Sequence, residues 1–226
     1  MKILIIDLET TGLEPGTHQI IEVGAILYSV DHQCILQQVS TLCLCEENLA
    51  QEINKIDADA TKEVSERPAM EWLKYLVKES DYLVAHNAEF DRQWLTELTG
   101  DKKWLCTFDD FVWPENHKQT NLIDTALNHH IAVTQAHRAL ADCQLIAQLF
   151  DRAKDLKGLI EQAIARSLDR KVKVFAVVSY DQKDLAKEKL FRWDGINKKW
   201  HKIMKESDFL KEKDSYVFDF NWVYIE

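Results

Sequence analysis

The chain has little that would tie it to a membrane, an oxidising compartment or a thiolate-bound metal. No run of about 18 apolar residues occurs, so a membrane span is not expected. Met1 and Lys2 lead straight into an apolar segment without the pattern of a secretory leader. The five cysteines, Cys34, Cys43, Cys45, Cys106 and Cys143, are odd in number and lack C-x-x-C spacing. Reduced thiols in the cytoplasm are expected, and a zinc site is not. Internal repeats and low-complexity segments are absent too. Positive charge is scarce in one part. The formal net charge is −10, and residues 1–150 hold 11 Lys and Arg against 24 Asp and Glu, whereas residues 151–226 hold 17 against 14. An acidic domain is a poor general binder of nucleic acid. It can act on one only where divalent cations or local basic residues offset its field.

What is present fits 226 residues folded as one sizeable domain with a small appendage. The change in charge near residue 150 and a change in composition at 170 set the expected boundaries: a first domain over 1–169 and a module over 170–226. The informative stretch is ILIIDLETTG, Ile3 to Gly12. Ile3 to Ile6 reads as a buried strand that delivers Asp7 and Glu9 at its end. Residues two apart on a strand share a face, so both acids look into one pocket. Adjacent carboxylates repel unless a cation sits between them, and hard Mg²⁺ or Mn²⁺ suits oxygen ligands. Thr10, Thr11 and Gly12 then turn the chain beside that site.

Further along, Glu14-Pro15-Gly16 is a turn, and Ile20–Val30 and Cys34–Leu44 read as two longer strands of a meander. A helix is expected over Ala60–Glu79, most securely from Pro68. Strand Tyr82–Ala85, helix Ala88–Leu98, strand Trp104–Thr107 and helix Asn121–His129 follow, then a long amphipathic helix Arg138–Ala153 and another over 153–169. Strands early and helices alternating later indicate an α/β domain with a mixed central sheet flanked by helices.

Asp91 lies one turn into the helix after Tyr82–Ala85, within HNAEFDRQWL; Asp142 lies within HRALADCQLIAQLF, with His137 just before that helix. Strand ends and helix starts converge on one sheet edge in such folds. Four carboxylates, Asp7, Glu9, Asp91 and Asp142, carry a formal −4 that two divalent metals would neutralise. Such a pair can clamp both oxygens of a phosphodiester displacement. His137 is suited to take a proton from the attacking water near neutral pH. Taken singly, Asp91 and Asp142 read as helix-surface acids and His137 as a helix flank; the joint pattern is what argues otherwise.

IDLETTG, HNAEFD and HRALAD, in that order, resemble the three motifs of the DnaQ-like, or DEDDh, 3′–5′ exonucleases of the ribonuclease H-like superfold. The resemblance implies Asp7 as a ligand bridging two metals, Glu9 and Asp142 on one and Asp91 on the other, with His137 as general base. It implies Thr10, Thr11 and Gly12 at the 3′-terminal nucleotide, Leu13 as an apolar wedge, and Asn87 and Phe90 as supports, Phe90 serving core packing at least as well. Single-stranded DNA or RNA 3′ ends would be the partners, and nucleoside 5′-monophosphates the products. The loop Lys118–Thr134 varies within the family and carries no assignment. A haloacid-dehalogenase-type phosphatase also opens on a strand and an acid, but it wants Asp where this chain has Glu9, and it has no use for HRALAD. Two alternatives stay open: an RNA-trimming enzyme of the same mechanism, and a binding or interaction protein with weakened activity.

In 170–226, eleven aromatics are interleaved with lysines such as Lys198, Lys199, Lys202 and Lys205. Strand Lys173–Ser179, helix Gln182–Lys189, a hairpin of Phe191–Trp193 and Trp200–Ile203 turning at Asp194-Gly195, and strand Tyr216–Ile225 make a small α+β module. VVSYDQKDLAKEKLFRWDGINKKWHKI, an aliphatic strand followed by K-D-x-A-K and R-W-D…K-x-W, resembles a small module appended to bacterial primase- and nuclease-associated proteins. Most of its aromatics are needed as core in so short a unit. The lysines remain candidates for a substrate track, and a polymerase or other protein partner is equally open. QLIAQLF at 144–150 is similar to peptides that dock onto sliding clamps, but its apolar residues are expected in the core.

Overall fold

Alternation along the first strand decides how the layers form. The computed structural model describes residues 1–115 and 121–225 and divides the chain into two compact units, Met1–Ser167 and Leu168–Glu226. In the first, β1 (Lys2–Thr10) pairs antiparallel with β2 (Ile20–Ser29), which pairs antiparallel with β3 (Cys34–Leu42). A short α1 (Gln51–Asn54), a 3-10 turn at Ala58–Glu63 and α2 (Arg67–Glu79) lead to β4 (Tyr82–Ala85), parallel to β1. Then come α3 (Ala88–Trp94), α4 (Thr96–Thr99) and β5 (Trp104–Cys106), parallel to β4. Helices α5 (Leu122–Asn128), α6 (Ala139–Arg152) and α7 (Leu156–Ser167) close the unit. The five-stranded mixed sheet runs β3-β2-β1-β4-β5.

Two cores follow from the period of two in β1. Ile3 and Ile5 join Ile26 and Tyr28 of β2 against Cys143, Ile146 and Phe150 of α6 and Ile160 of α7. Leu4, Ile6 and Leu8 face the other way, onto Leu73, Leu76 and Val77 of α2. Asp7 and Glu9 therefore continue the face that α6 covers. Leu145, Leu149 and Phe150 of QLIAQLF are buried in the first core.

Several elements differ from the sequence expectation. Strand β1 does not stop at Ile6, because β2 pairs with it through both acids, Asp7 opposite Gly24 and Glu9 opposite Glu22. The helix expected over Ala60–Glu79 is a 3-10 turn followed by an α-helix that starts at Arg67, with proline in its first turn. The helix expected over Ala88–Leu98 breaks at Leu95, whose amide is shared between the carbonyls of Asp91 and Arg92, both at 3.2 Å. Of the variable loop, residues 118–120 lie outside the described residues, and α5 begins where the Asn121 side chain accepts from the Asp124 amide at 2.8 Å.

The second unit is a four-stranded antiparallel sheet, built from β6 (Lys171–Val177), β7 (Arg192–Asp194), β8 (Lys199–Lys205) and β9 (Asp219–Ile225), in the order β7-β8-β6-β9. Helices α8 (Lys183–Glu188) and α9 (Glu206–Glu212) contribute Ala186 and Phe209 to a core with Val172, Val174 and Phe191. Helix α9 carries too few apolar residues for its period to show in sequence. The hairpin turns because the Asp194 carboxylate accepts from the amides of Ile196 and Asn197, at 3.0 and 2.9 Å. All five cysteines are free. No helix among the described residues is long and apolar enough to cross a membrane.

Candidate active site

Asp7 and Glu9 lie on the α6 face of β1, near the strand's C-terminal end. Asp91 reaches them from α3. Asn87, in the left-handed region at φ 65°, turns the chain from β4 into that helix, a conformation asparagine tolerates better than most residues. One turn on, Asp91 is buried at 2% exposure, and its Oδ1 accepts from the Leu8 amide at 3.1 Å. That bond fixes the third acid to the backbone between the first two. His86, just ahead, bonds Thr107 Oγ1 through Nδ1 at 2.9 Å, and burial lowers its pKa to about 4.

The fourth acid arrives from α6. Asp142 sits in that helix's first turn. Glu9, His137 and Asp142 each offer a ligand atom within 4.8 Å of the others, and His137 itself is exposed. Among the described residues, Asp7 and Asp91 lie outside that trio, yet Asp7 feels the charges of Asp91, Asp142 and Glu9. Burial and then those charges hold Asp7 well above the usual carboxylate range. Glu9 is pushed up to about 8 by burial and then by Asp142 and Glu22. Asp142 rises to about 6 through burial, against the opposing pull of His137. A site that raises its acids this far has too little fixed positive charge to balance them, and its donors are hard carboxylate oxygens. The residues fit divalent cations of the Mg²⁺ or Mn²⁺ kind.

Three residues that support this arrangement were not singled out from sequence. Glu22, opposite Glu9 on β2, is 3% exposed and takes Arg138 in a two-point bond, Nε to Oε2 at 2.9 Å and Nη2 to Oε1 at 2.8 Å. The same Oε2 accepts from the Ala139 amide at 3.0 Å, satisfying a donor at the start of α6. Gly24, opposite Asp7, lies under that helix start: a Cβ there would come 2.3 Å from the Leu140 nitrogen and 2.4 Å from the Ala139 carbonyl carbon. One buried Glu and one Gly within the apolar run IIEVGAILYSV were the signals available.

The expected substrate contacts divide. Leu13 stands 77% exposed at the tip of the turn after β1. Thr10 and Thr11 are buried and their hydroxyls shape that turn: Thr10 Oγ1 donates to the Gly12 carbonyl at 2.6 Å, and Thr11 Oγ1 accepts from the Gln19 amide at 3.0 Å. Gly12 leaves room for the His18 ring, which a Cβ would meet at 2.1 Å. Asn87 is exposed, whereas Phe90 is half-buried against Trp94, their rings 6.1 Å apart.

An exonuclease family model, that of RNase T, matches residues 4–150, and a model for a domain of unknown function matches residues 173–219. Exodeoxyribonuclease 10 of Escherichia coli (strain K12) is 29% identical over 176 residues, covering 71% of this chain and 72% of the relative. Ribonuclease T of Baumannia cicadellinicola is 31% identical over 175 residues, covering 65% of this chain and 80% of the relative. The solved structure of Exonuclease X in complex with 5′ overhanging duplex DNA is 25% identical, with a TM-score of 0.56 over 72% of this chain and 98% of that one.

Proposed function

The chain belongs to the RNase T exonuclease family, and from that premise we propose that this DnaQ-like, DEDDh-type exonuclease removes nucleotides from the 3′ ends of DNA as nucleoside 5′-monophosphates. The observation that carries the reading is the meeting of Glu9, His137 and Asp142 beside Asp7, on an edge where Asp91 is bonded to the intervening backbone. Asp7, Glu9, Asp91 and Asp142 would hold the divalent cations between them. Bound there, Mg²⁺ or Mn²⁺ supplies charge neutralisation for the phosphodiester and acidifies the attacking water. His137 takes the proton from that water through its imidazole. The Glu22–Arg138 pair orients the first turn of α6 and so aims Asp142 and His137 together. Leu13, exposed at the turn, would wedge against the terminal base, while Thr10, Thr11 and Gly12 shape the wall beside the last nucleotide. Asn87 and Phe90 would support that wall.

A DNA substrate is favoured by the similarity to Exodeoxyribonuclease 10 and to the DNA-bound Exonuclease X. A second reading, RNA trimming by the same chemistry, is favoured by the similarity to Ribonuclease T. The test is a 5′-labelled single-stranded DNA and RNA ladder, with Mg²⁺, Mn²⁺ or EDTA, on wild type and Asp7→Asn. A ladder shrinking from the 3′ end, dependent on metal and lost in the variant, is expected, and the faster substrate selects between the readings. Undiminished hydrolysis by Asp7→Asn would remove the site.

A further inference from the structure

The C-terminal unit holds a pocket of about 730 Å³, in a region that no part of the proposed chemistry uses. It opens where β6 ends and β8 begins. Its walls include Tyr180, Trp193, Trp200, Lys183, Lys198 and Lys199, with Asn221 on β9. The unit's core does not need all of these rings. Phe191 and Phe209 are buried in it, whereas Tyr180 is 79% and Trp193 52% exposed. Large aromatic faces left in solvent at a concave site are a departure from ordinary burial, and they come with cations already placed.

The pairing of ring and ammonium recurs. Lys183 Nζ stands 3.8 Å from the centre of the Tyr180 ring, and Trp193 and Trp200 face each other across the β7–β8 pair with centres 5.5 Å apart. Beside them on β6, Phe175 is approached by two ammonium groups, Lys173 Nζ at 5.6 Å and Lys199 Nζ at 5.4 Å. Among the described residues, none of Lys173, Lys183, Lys198 and Lys199 is in an ion pair, whereas Lys187 and Lys202 of the same unit are engaged by Asp184 and Glu212. No acidic side chain lines the pocket. The unit as a whole is nearly balanced, 13 Lys and Arg against 11 Asp and Glu. Three lysines without an ion pair, Lys183, Lys198 and Lys199, therefore line the aromatic pocket, with Lys173 beside it against Phe175.

A ligand that matches this surface needs flat apolar rings and negative charges alternating along its length. We propose that the C-terminal unit carries its own binding site for single-stranded nucleic acid, with bases stacked on Tyr180, Trp193 and Trp200 and phosphates held by Lys183, Lys198 and Lys199. The chemistry favours strands without regard to sequence, since every base has a stacking face and backbone phosphates are uniform. An acidic peptide would meet the lysines but leave the rings without partners. This site is separate in its residues from the hydrolytic one and does not rest on the reading of the first unit as a 3′–5′ enzyme.

The experiment uses the full chain and a labelled circular single-stranded DNA in EDTA, read by fluorescence anisotropy. A circle has no end for an exonuclease site to take, so its binding reports another surface. The wild type should bind it with a marked salt dependence. Replacing Lys183, Lys198 and Lys199 together by Gln should lower the slope of log K against log salt by about 2, at roughly 0.7 per lost phosphate contact. Trp193→Ala should weaken binding about 5- to 150-fold, the span expected for one stacked base. Tyr180→Ala, at a side chain outside the core, gives a second reading should Trp193→Ala disturb the fold. No binding of the circle, or binding that neither the lysine nor the Tyr180 variant changes, overturns the proposal, as does retention of an acidic peptide in place of the strand. Hydrolysis of linear strands is measured separately, so either idea can fail alone.

Discussion

Gly24→Ala tests the geometry of the site without touching any of its acids. The new Cβ would sit 2.3 Å from the Leu140 nitrogen, 2.4 Å from the Ala139 carbon and 2.7 Å from the Ala139 oxygen. All three are backbone atoms, so no side chain can rotate out of the way. Ordinary contact begins at 3.4 Å, so the start of α6 must retreat by roughly 1 Å or β2 must bend away from it. Either movement strains the packing recorded by the Cys143 thiol against the Gly24 carbonyl at 3.4 Å. Overpacking of this kind costs about 1–3 kcal/mol, or roughly 2–12 °C in melting temperature for a protein of this size. The functional cost should be larger in proportion, since a 1 Å misplacement of reacting groups can cost about 10²-fold in rate. Asp142 rides on the displaced turn while Asp7 stays on β1, directly opposite the substituted residue. The assay is single-turnover release of mononucleotide from a labelled strand, beside a thermal melt. A variant that melts within that range but cleaves about a hundredfold more slowly supports the reasoning. One that keeps more than half the wild-type rate refutes it.

Arg138→Met strips Glu22 of its guanidinium and leaves a carboxylate buried with only the Ala139 amide; a loss of about 3 kcal/mol is expected in urea unfolding, and an unchanged midpoint would show the pair to be idle. Because Glu9 is raised from 4.5 to about 8, the folded protein holds a proton there that the unfolded chain has already released. Metal-free stability should therefore fall as pH rises from about 4.5 to about 8 and then level off. Mg²⁺ should raise the melting temperature more at pH 8 than at pH 5, and an equal rise at both would argue against cations between these acids. His137→Gln should slow hydrolysis about 10²- to 10⁴-fold while the Mg²⁺-induced rise in melting temperature survives; losing that rise would recast His137 as a ligand.

How much of this was legible in the sequence depends on how far apart the partners lie. The two faces of β1 follow from its own alternation, so the shared side of Asp7 and Glu9 could be read within ten residues. Asp91 and Asp142 were readable only through their motifs, because their approach to β1 depends on chain reversals that local patterns do not encode. The support was hidden for the same reason: Glu22 and Arg138 are 116 residues apart, and the β2 run looks like any buried strand apart from one Glu and one Gly. The charge balance of the other four acids is unaltered by that pair. Glu22 adds a fifth carboxylate to the field felt by Asp7 and Glu9. Arg138 is held by two bonds to Glu22, and although it lowers the Glu9 pKa, its charge is matched there by a permanent partner. The four remaining acids are left, as the sequence suggested, with a formal −4 and no fixed guanidinium of their own. One acid thus has a permanent counter-charge that locks the helix in place, while the others keep theirs exchangeable, which is what a site needs if cations and a phosphodiester are to enter it together.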